Sequence, residues 1–492
     1  MSSFTLAFDD GDTDDVDIPL AVANLTLIHT NDVTNFLEVY HLSILYISSH
    51  FLLLSLITCF PVLNQDRFRR WRILIEICVL SMPFLASVTI LNSLSFLIPY
   101  ILVMIALRIL FTFNRIYGSF NWPELLFRSK PVPIKSPTIT NLYANTIINV
   151  CICILAVDFC IFPERFAKTK IYGLSLMDIG VSSFVALNGL LSKESRHHSD
   201  SLSPSFWSHF RKSIRGSILL FFLGFLRLGL ITITGYHQEI SEYGLHWNFF
   251  FTLAFTKIIS SSIMYVTSST LIMATLISFL GQSVLSLGLT RIIQNPHRQG
   301  FILANKEGIF SLPGFVSIYL IGVTIGKRFS EKRDRKSNMD SIFLIGDLFL
   351  MGIYLGSTGL LSHLYIEPSS RRECNLAFVA FTCSLICFTI IFELFVDVLI
   401  DILQYFMIMK KSPFVKSFLN EALARKGLVV FLFANLLTGI FNLAFRLKSF
   451  SSIVSLVLNV FYIFSVCIFA LYSHKNYVNF KFSLKPLKVN IF

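Results

Sequence analysis

Residues 156–173 read AVDFCIFPERFAKTKIYG, with an Asp, a Glu, an Arg and two Lys crowded between positions 158 and 170. The flanks are oily. TIINVCICILAV leads into Asp158, and GLSLMDIGVSSFVALNGLL runs on from Gly173. Each flank belongs to an apolar run close to the length of a membrane-crossing helix, so the charged stretch reads as a turn between two spans. The whole chain repeats that pattern. Its 492 residues are 54% hydrophobic and 14% charged, with 51 Phe, and no aqueous fold of this length buries so much apolar surface. Lipid is therefore the solvent for most of it, which excludes a soluble enzyme carrying a single anchor.

Working outward from that turn, apolar runs predict an all-α polytopic membrane protein with about 13 transmembrane helices. They fall near 41–63, 73–90, 96–113, 141–160, 171–191, 217–234, 247–266, 270–290, 309–326, 341–363, 375–396, 427–445 and 452–473. Alternate loops, with the C-terminal tail, hold 28 of the 41 Lys and Arg, against 10 in the other set. The positive-inside rule puts the first set in the cytosol, so the N-terminus is expected to be lumenal and the C-terminus cytosolic. The expected organisation is an acidic lumenal tail (1–40), one multi-spanning domain (41–473) and a basic cytosolic tail (474–492). The net charge of +12 then belongs to loops facing anionic lipid and gives no reason to invoke nucleic acid.

The opening residues carry Asp9, Asp10, Asp12, Asp14, Asp15 and Asp17, not the basic start of a cleavable signal, so the first span is expected to direct insertion. Asn24, in NLT, is a glycosylation triplet on the tail assigned to the lumen. Most of the nine Cys sit inside apolar runs, without the CxxC and His spacing of a zinc site, so no metal is expected. Cys160 and Cys374 lie near segment ends, where pairing would need a shared compartment. Nucleophile-elbow, HExxH and Walker strings are absent, and no repeat of broken helices suggests a transporter.

In such a chain the informative residues are polar groups at membrane depth or at the lip of a cavity, because each needs a partner or a function to offset its desolvation. Asp158 and Lys168 flank IFP at 161–163, where a straight helix cannot continue, so folding back brings their side chains together. Two readings stay open. They form a base and an oxyanion-stabilising cation, or an interfacial salt bridge with Lys reaching lipid phosphate. The same side carries SEYGLHWNFF, with Glu242, His246, Trp247 and Asn248, and ANKEGIFSLPG, with Asn305, Lys306 and Glu307. It also carries SSRRECNL, with Arg371, Arg372 and Asn375. His246 and Trp247 read equally as an interfacial anchor, Glu307 as a helix cap, and the twin Arg as a phosphate grip or a headgroup contact. Within the spans, Asp178 and Arg227 are candidates for lining a polar cavity, and Asp347 is a further charge there. Asn435 and Asn442, seven apart, share a helix face and suit bonding to neighbouring helices.

At ILAVDFCIFPERFAKTKIYGLSLMDIGVSSFV the chain resembles the inositol acyltransferases of glycosylphosphatidylinositol (GPI) anchor synthesis, the family of the fungal GPI-anchored wall transfer protein and animal PIG-W. The matching residues are Asp158, Phe159, Ile161, Phe162, Pro163, Arg165, Phe166, Ala167, Lys168, Gly173, Met177, Asp178, Gly180 and Val181. The resemblance continues in order through EYGLHWNFF, ANKEGIFS, SRRECNL and GLVVFLFANLLTGIFN, from about residue 137 to the C-terminal spans. It departs at Cys160, where the family has Pro, at Glu164 and Lys306, each standing for Arg, and at TNLYAN, which lacks an upstream Arg.

The resemblance implies a multi-pass endoplasmic-reticulum enzyme that moves a fatty acyl group, palmitoyl foremost, from acyl-CoA to the inositol ring of glucosaminyl-phosphatidylinositol. No bound cofactor is implied; acyl-CoA is a co-substrate, and membrane lipids are the other partners. Asp158 and Lys168 become the expected catalytic pair, with Arg165, Asp178, Arg227, His246, Asn248, Asn305, Glu307, Arg371 and Arg372 as expected substrate-binding residues. Two rivals differ in outcome. A lipid transporter or scramblase gated by Asp158 and Lys168 makes no acyl product, and an O-acyltransferase using His246 as base loses turnover on His246→Ala.

Overall fold

The computed structural model describes residues 36–117, 138–196, 205–235, 239–331, 338–409 and 416–476. Asn24, most of the acidic tail and most of the basic tail lie outside these residues. A helix occupies each of the thirteen apolar runs: α1 (Phe36–Cys59), α2 (Arg69–Ser87), α3 (Ile98–Tyr117), α4 (Thr138–Ala156), α5 (Leu176–Leu190), α6 (Phe206–Thr234), α7 (Phe249–Val266), α8 (Thr270–Val284), α9 (Leu312–Glu331), α10 (Asn338–Tyr365), α11 (Leu376–Met409), α12 (Phe418–Ala444) and α13 (Ser452–Asn476). No strand occurs among the described residues. The protein is an all-α polytopic membrane protein. Ten of the described helices are long and apolar enough to cross a bilayer; α3 and α5 supply shorter apolar stretches, Ile98–Thr112 and Leu176–Leu190.

α2 falls outside the ten because its first turns are charged. Arg72 and Glu76 are buried and paired at 3.1 Å, and Glu76 also accepts from the Ser417 hydroxyl at 3.0 Å and from Leu419 N at 2.9 Å. That network fastens the start of α2 to the start of α12. Burying such a pair is tolerable because each lone pair and proton finds a partner.

Two apolar cores organise the bundle. One joins α1, α2, α4, α12 and α13; the other joins α5, α9, α10 and α11. The short α5 lies hard against α9 because small residues line the crossing. A Cβ on Gly189 would overlap Tyr319 O, and one on Gly322 would overlap Ala186 O, so both helices need their glycines for backbones to come this close. Large side chains such as Phe222, Phe225 and Leu230 on α6, or Leu436 and Leu443 on α12, stay exposed and suit contact with hydrocarbon.

The loops of the less basic set meet on one face. Arg165 reaches Asn92, Lys168 reaches Glu242, Leu245 N bonds Ala304 O, and Gly173 N bonds Ser369 O. Arg372 bonds Ile293 O, and the Cys160 thiol bonds Lys448 O. All nine cysteines are free, with Cys160 exposed and Cys374 buried. Cys160 therefore reports the sidedness of this face. In sealed vesicles with the cytosolic side outward, a membrane-impermeant maleimide is expected to label Cys160 only after permeabilisation, and Cys160→Ser removes that label. Labelling of intact vesicles would put the face in the cytosol.

Candidate functional site

α4 ends at Ala156 and unwinds through turn bonds from Val157 N to Cys153 O and from Asp158 N to Leu155 O. Pro163 then opens a single 3₁₀ turn, Glu164–Phe166, as its fixed φ allows. Phe162 and Phe166 are buried edge to face, 6.0 Å apart, and anchor the turn in the core. Arg165 points the other way, gripping Glu38 at 3.0 and 3.1 Å and the Asn92 side chain at 3.2 Å. Pinned on both sides, the loop carries Asp158 and Lys168 at fixed places.

Those places are not next to each other. The expected pairing gives way to two separate partnerships. Asp158 Oδ2 accepts from Asn442 Nδ2 of α12 at 2.6 Å. Lys168 Nζ donates to both carboxylate oxygens of Glu242 at 2.8 and 2.9 Å. A carboxylate in bidentate contact outcompetes a more distant one for an ammonium. Lys168 acts on Asp158 through its field alone. Burial pushes the Asp158 carboxyl above the usual carboxylate range, against the pull of the Asn442 hydrogen bond and of the Lys448 and Lys168 charges. Glu242 goes the other way. Burial opposes its ionisation, yet Lys168, Arg371 and Arg227 together hold it below the usual range.

Glu242 is delivered by the one-turn helix Ile240–Tyr243, which Gly244 terminates at φ +114°. This backbone favours glycine, and a Cβ there would also strike Asn305 Cα. The tight join sets Glu242 over a cavity of about 230 Å³ at the seam of the two cores. Its lining includes the charged Lys168, Glu242 and Arg227 and the amides of Asn145, Asn149 and Asn435, and is otherwise mostly apolar, including Leu176, Phe184, Leu385 and Phe431. Asp158 is not among the lining residues; along the chain it follows the lining Ile154 by four positions.

The other expected binding residues support this site from outside the cavity. Asp178 does not line it. Its backbone N–H and carboxylate complete a capping box with Ser175, Thr169 donates to it at 2.8 Å, and Arg371 Nε pairs with its other oxygen at 2.7 Å. Arg371 is thereby ion-paired inside the fold. Arg372 bonds Glu307 at 2.7 Å and Ile293 O at 2.9 Å, so both twin Arg have partners within the protein. Glu307 also takes both terminal nitrogens of Arg298, a clamp between loops in place of a helix cap. Asn248 caps α7 and donates to Gly224 O at 3.0 Å. Asn305 accepts from the His246 backbone N–H at 2.7 Å, and the His246 side chain is exposed. Of the nine expected binding residues, only Arg227 lines the cavity.

Sequence reasoning missed Asn145 and Asn149 as cavity residues and Asn442 as the partner of Asp158. The first two had a visible signal, amides four apart in an otherwise apolar run. The third was read as a helix-to-helix bond, and what its partner is depends on the fold.

Residues 26–473 match the model of the GWT1 family. The phosphatidylinositol-glycan biosynthesis class W protein of Dictyostelium discoideum is 30% identical over 500 residues, covering 92% of this chain and 97% of that protein. The GPI-anchored wall transfer protein 1 of Schizosaccharomyces pombe is 32% identical over 67% of this chain and 70% of its own length. Its namesake in Cryptococcus neoformans is 34% identical over 63% of this chain and 57% of its own length. The matched range takes in the Asp158 turn and the loops that brace it, and the chain belongs to the GWT1 family.

Proposed function

We propose that this chain acts in GPI-anchor biosynthesis, in the endoplasmic-reticulum membrane, by transferring a fatty acyl group from acyl-CoA to the inositol ring of glucosaminyl-phosphatidylinositol. The observation that carries the reading is the state of Asp158. Its half-buried carboxyl is oriented by a neutral amide, four residues along the chain from Ile154 of a cavity whose charged and amide lining suits a polyol headgroup. Burial without a bonded cation raises a carboxyl's proton affinity, which suits a general base near neutral pH. In the proposed reaction Asp158 takes the proton of an inositol hydroxyl as its oxygen attacks the thioester carbonyl. The C–S bond breaks when the tetrahedral intermediate collapses, and the departing CoA thiolate takes a proton, so hydroxyl and thioester become ester and free thiol. Lys168, fixed by Glu242, supplies positive potential at the cavity lining, where oxyanion charge develops. The rival reading, a lipid transporter or scramblase gated by Asp158 and Lys168, predicts lipid movement without an acylated product.

The test is direct. Purified protein in detergent is given labelled palmitoyl-CoA and glucosaminyl-phosphatidylinositol, and inositol-acylated lipid is expected together with one free CoA thiol per ester. Lipid movement without acylated product would replace this reading with transport.

A further inference from the structure

Arg227 lines the cavity while remaining exposed, and nothing in the fold explains it. It lies in GFLRLG on α6, seven residues from the helix end at Thr234, which is about 10 Å along the axis. Its chain neighbours Phe225, Leu226 and Leu230 are exposed on an apolar helix. A cation at that depth is costly unless something offsets its desolvation. The bracing cations do find partners: Arg165 holds Glu38, Arg371 holds Asp178, Arg298 and Arg372 hold Glu307, and Lys306 bonds backbone carbonyls. Among the cavity-lining residues Lys168 is ion-paired with Glu242. Among the described residues Arg227 has no recorded hydrogen bond or ion pair; it only adds to the field that holds Glu242 ionised. Lys168, Glu242 and Arg227 together give the lining one net positive charge.

A second orphan lies in the cavity wall. Asn149 Nδ2 donates to Asn145 Oδ1 at 2.6 Å, while Asn149 Oδ1 is buried with no hydrogen-bond partner. A buried acceptor of this kind costs free energy until a donor arrives, and a hydroxyl entering the cavity would supply one. One net positive charge with five guanidinium donors suits a singly charged phosphodiester held by paired hydrogen bonds, and an orphan amide oxygen in the same lining suits a polyol.

We propose that Arg227 binds the phosphodiester of an inositol phospholipid and that Asn149 accepts a hydrogen bond from its ring. The assignment takes the lipid's identity from the acyl-transfer reading, while the site itself stands on the unpaired guanidinium and the orphan oxygen. The phosphates of a CoA thioester share the same chemistry but carry several negative charges, which one unpaired cation matches poorly.

The experiment measures binding to full-length protein in detergent, so it needs no turnover. Dioctanoyl-phosphatidylinositol and a non-transferable thioether analogue of palmitoyl-CoA are titrated separately into wild type, Arg227→Gln, Arg227→Lys and Asn149→Leu. Expected is a loss of phosphatidylinositol affinity of about tenfold or more in Arg227→Gln, partial recovery in Arg227→Lys, a smaller loss in Asn149→Leu, and unchanged thioether binding. Equal phosphatidylinositol affinity in wild type and Arg227→Gln overturns the proposal. So does a loss confined to the thioether, which assigns Arg227 to CoA phosphate. Wild type that binds the lipid with this residue pattern yet yields no acylated product keeps the site and removes the acyl-transfer reading.

Discussion

Asp158→Asn is expected to lower acyl transfer by about 10²- to 10⁴-fold, the usual contribution of a positioned general base, with little change in folding. The substitution keeps shape and volume, and an amide at 158 can still meet the Asn442 side chain after a flip of either group. What disappears is the site that takes the proton. The acid limb of the wild-type pH profile carries the same information. A base works in its ionised form, and burial raises the Asp158 carboxyl, so activity should climb with pH through a midpoint above the ordinary carboxylate range. The Asn442 hydrogen bond favours the ionised form, so Asn442→Ala should move that midpoint further up as well as lower the rate. A merely structural Asn442 would cost stability and leave the midpoint where it was. Asp158→Asn retaining more than about a tenth of wild-type turnover would leave catalysis to another group, well short of what a lost base costs.

The fold was legible in the sequence because its two determinants are local. Apolar run length predicts a span, and a helix occupies each of the thirteen runs, although α2 buries charge that a hydropathy count penalises. Loop charge sorted the connections into two sets, and one set does converge on a single face. The site was legible only by address. Sequence put Asp158, Lys168, Arg371 and Glu307 on one side of the membrane and Asp178 in a neighbouring span, but partner choice among five or more charges is decided by ångström-scale placement. Glu242 took Lys168 because Gly244 tightens its loop against Asn305. Asn442 took Asp158 because α12 packs on α4 in the register their interface sets. Residues whose charge made them look like ligands proved to be the bracing, and the cavity's amides escaped notice because uncharged groups raise no alarm in an apolar run.

That bracing should show its strength when one strut is cut. Arg371 and Asp178 pair with side chains 3% and 0% exposed, and Asp178 also gathers Thr169 and both the N–H and hydroxyl of Ser175. The pair therefore ties the 366–375 loop to the start of α5 and to the loop that bears Lys168. Arg371→Leu leaves a buried carboxylate facing hydrocarbon, and breaking such a pair costs about 3–5 kcal/mol. The variant should unfold several degrees below wild type in detergent and lose acyl transfer with it. The companion change separates charge from packing. Adding Asp178→Asn to Arg371→Leu removes the stranded charge while keeping an acceptor for Thr169 and Ser175, so the double variant should recover part of the lost stability, which additive effects would not give. Arg371→Leu melting with wild type would mean that water reaches the pair and that the loops are held by the Glu307 clamp instead. Recovery of stability without recovery of activity would show a second role for Arg371, through its part in holding Glu242 ionised and hence in keeping Lys168 over the cavity.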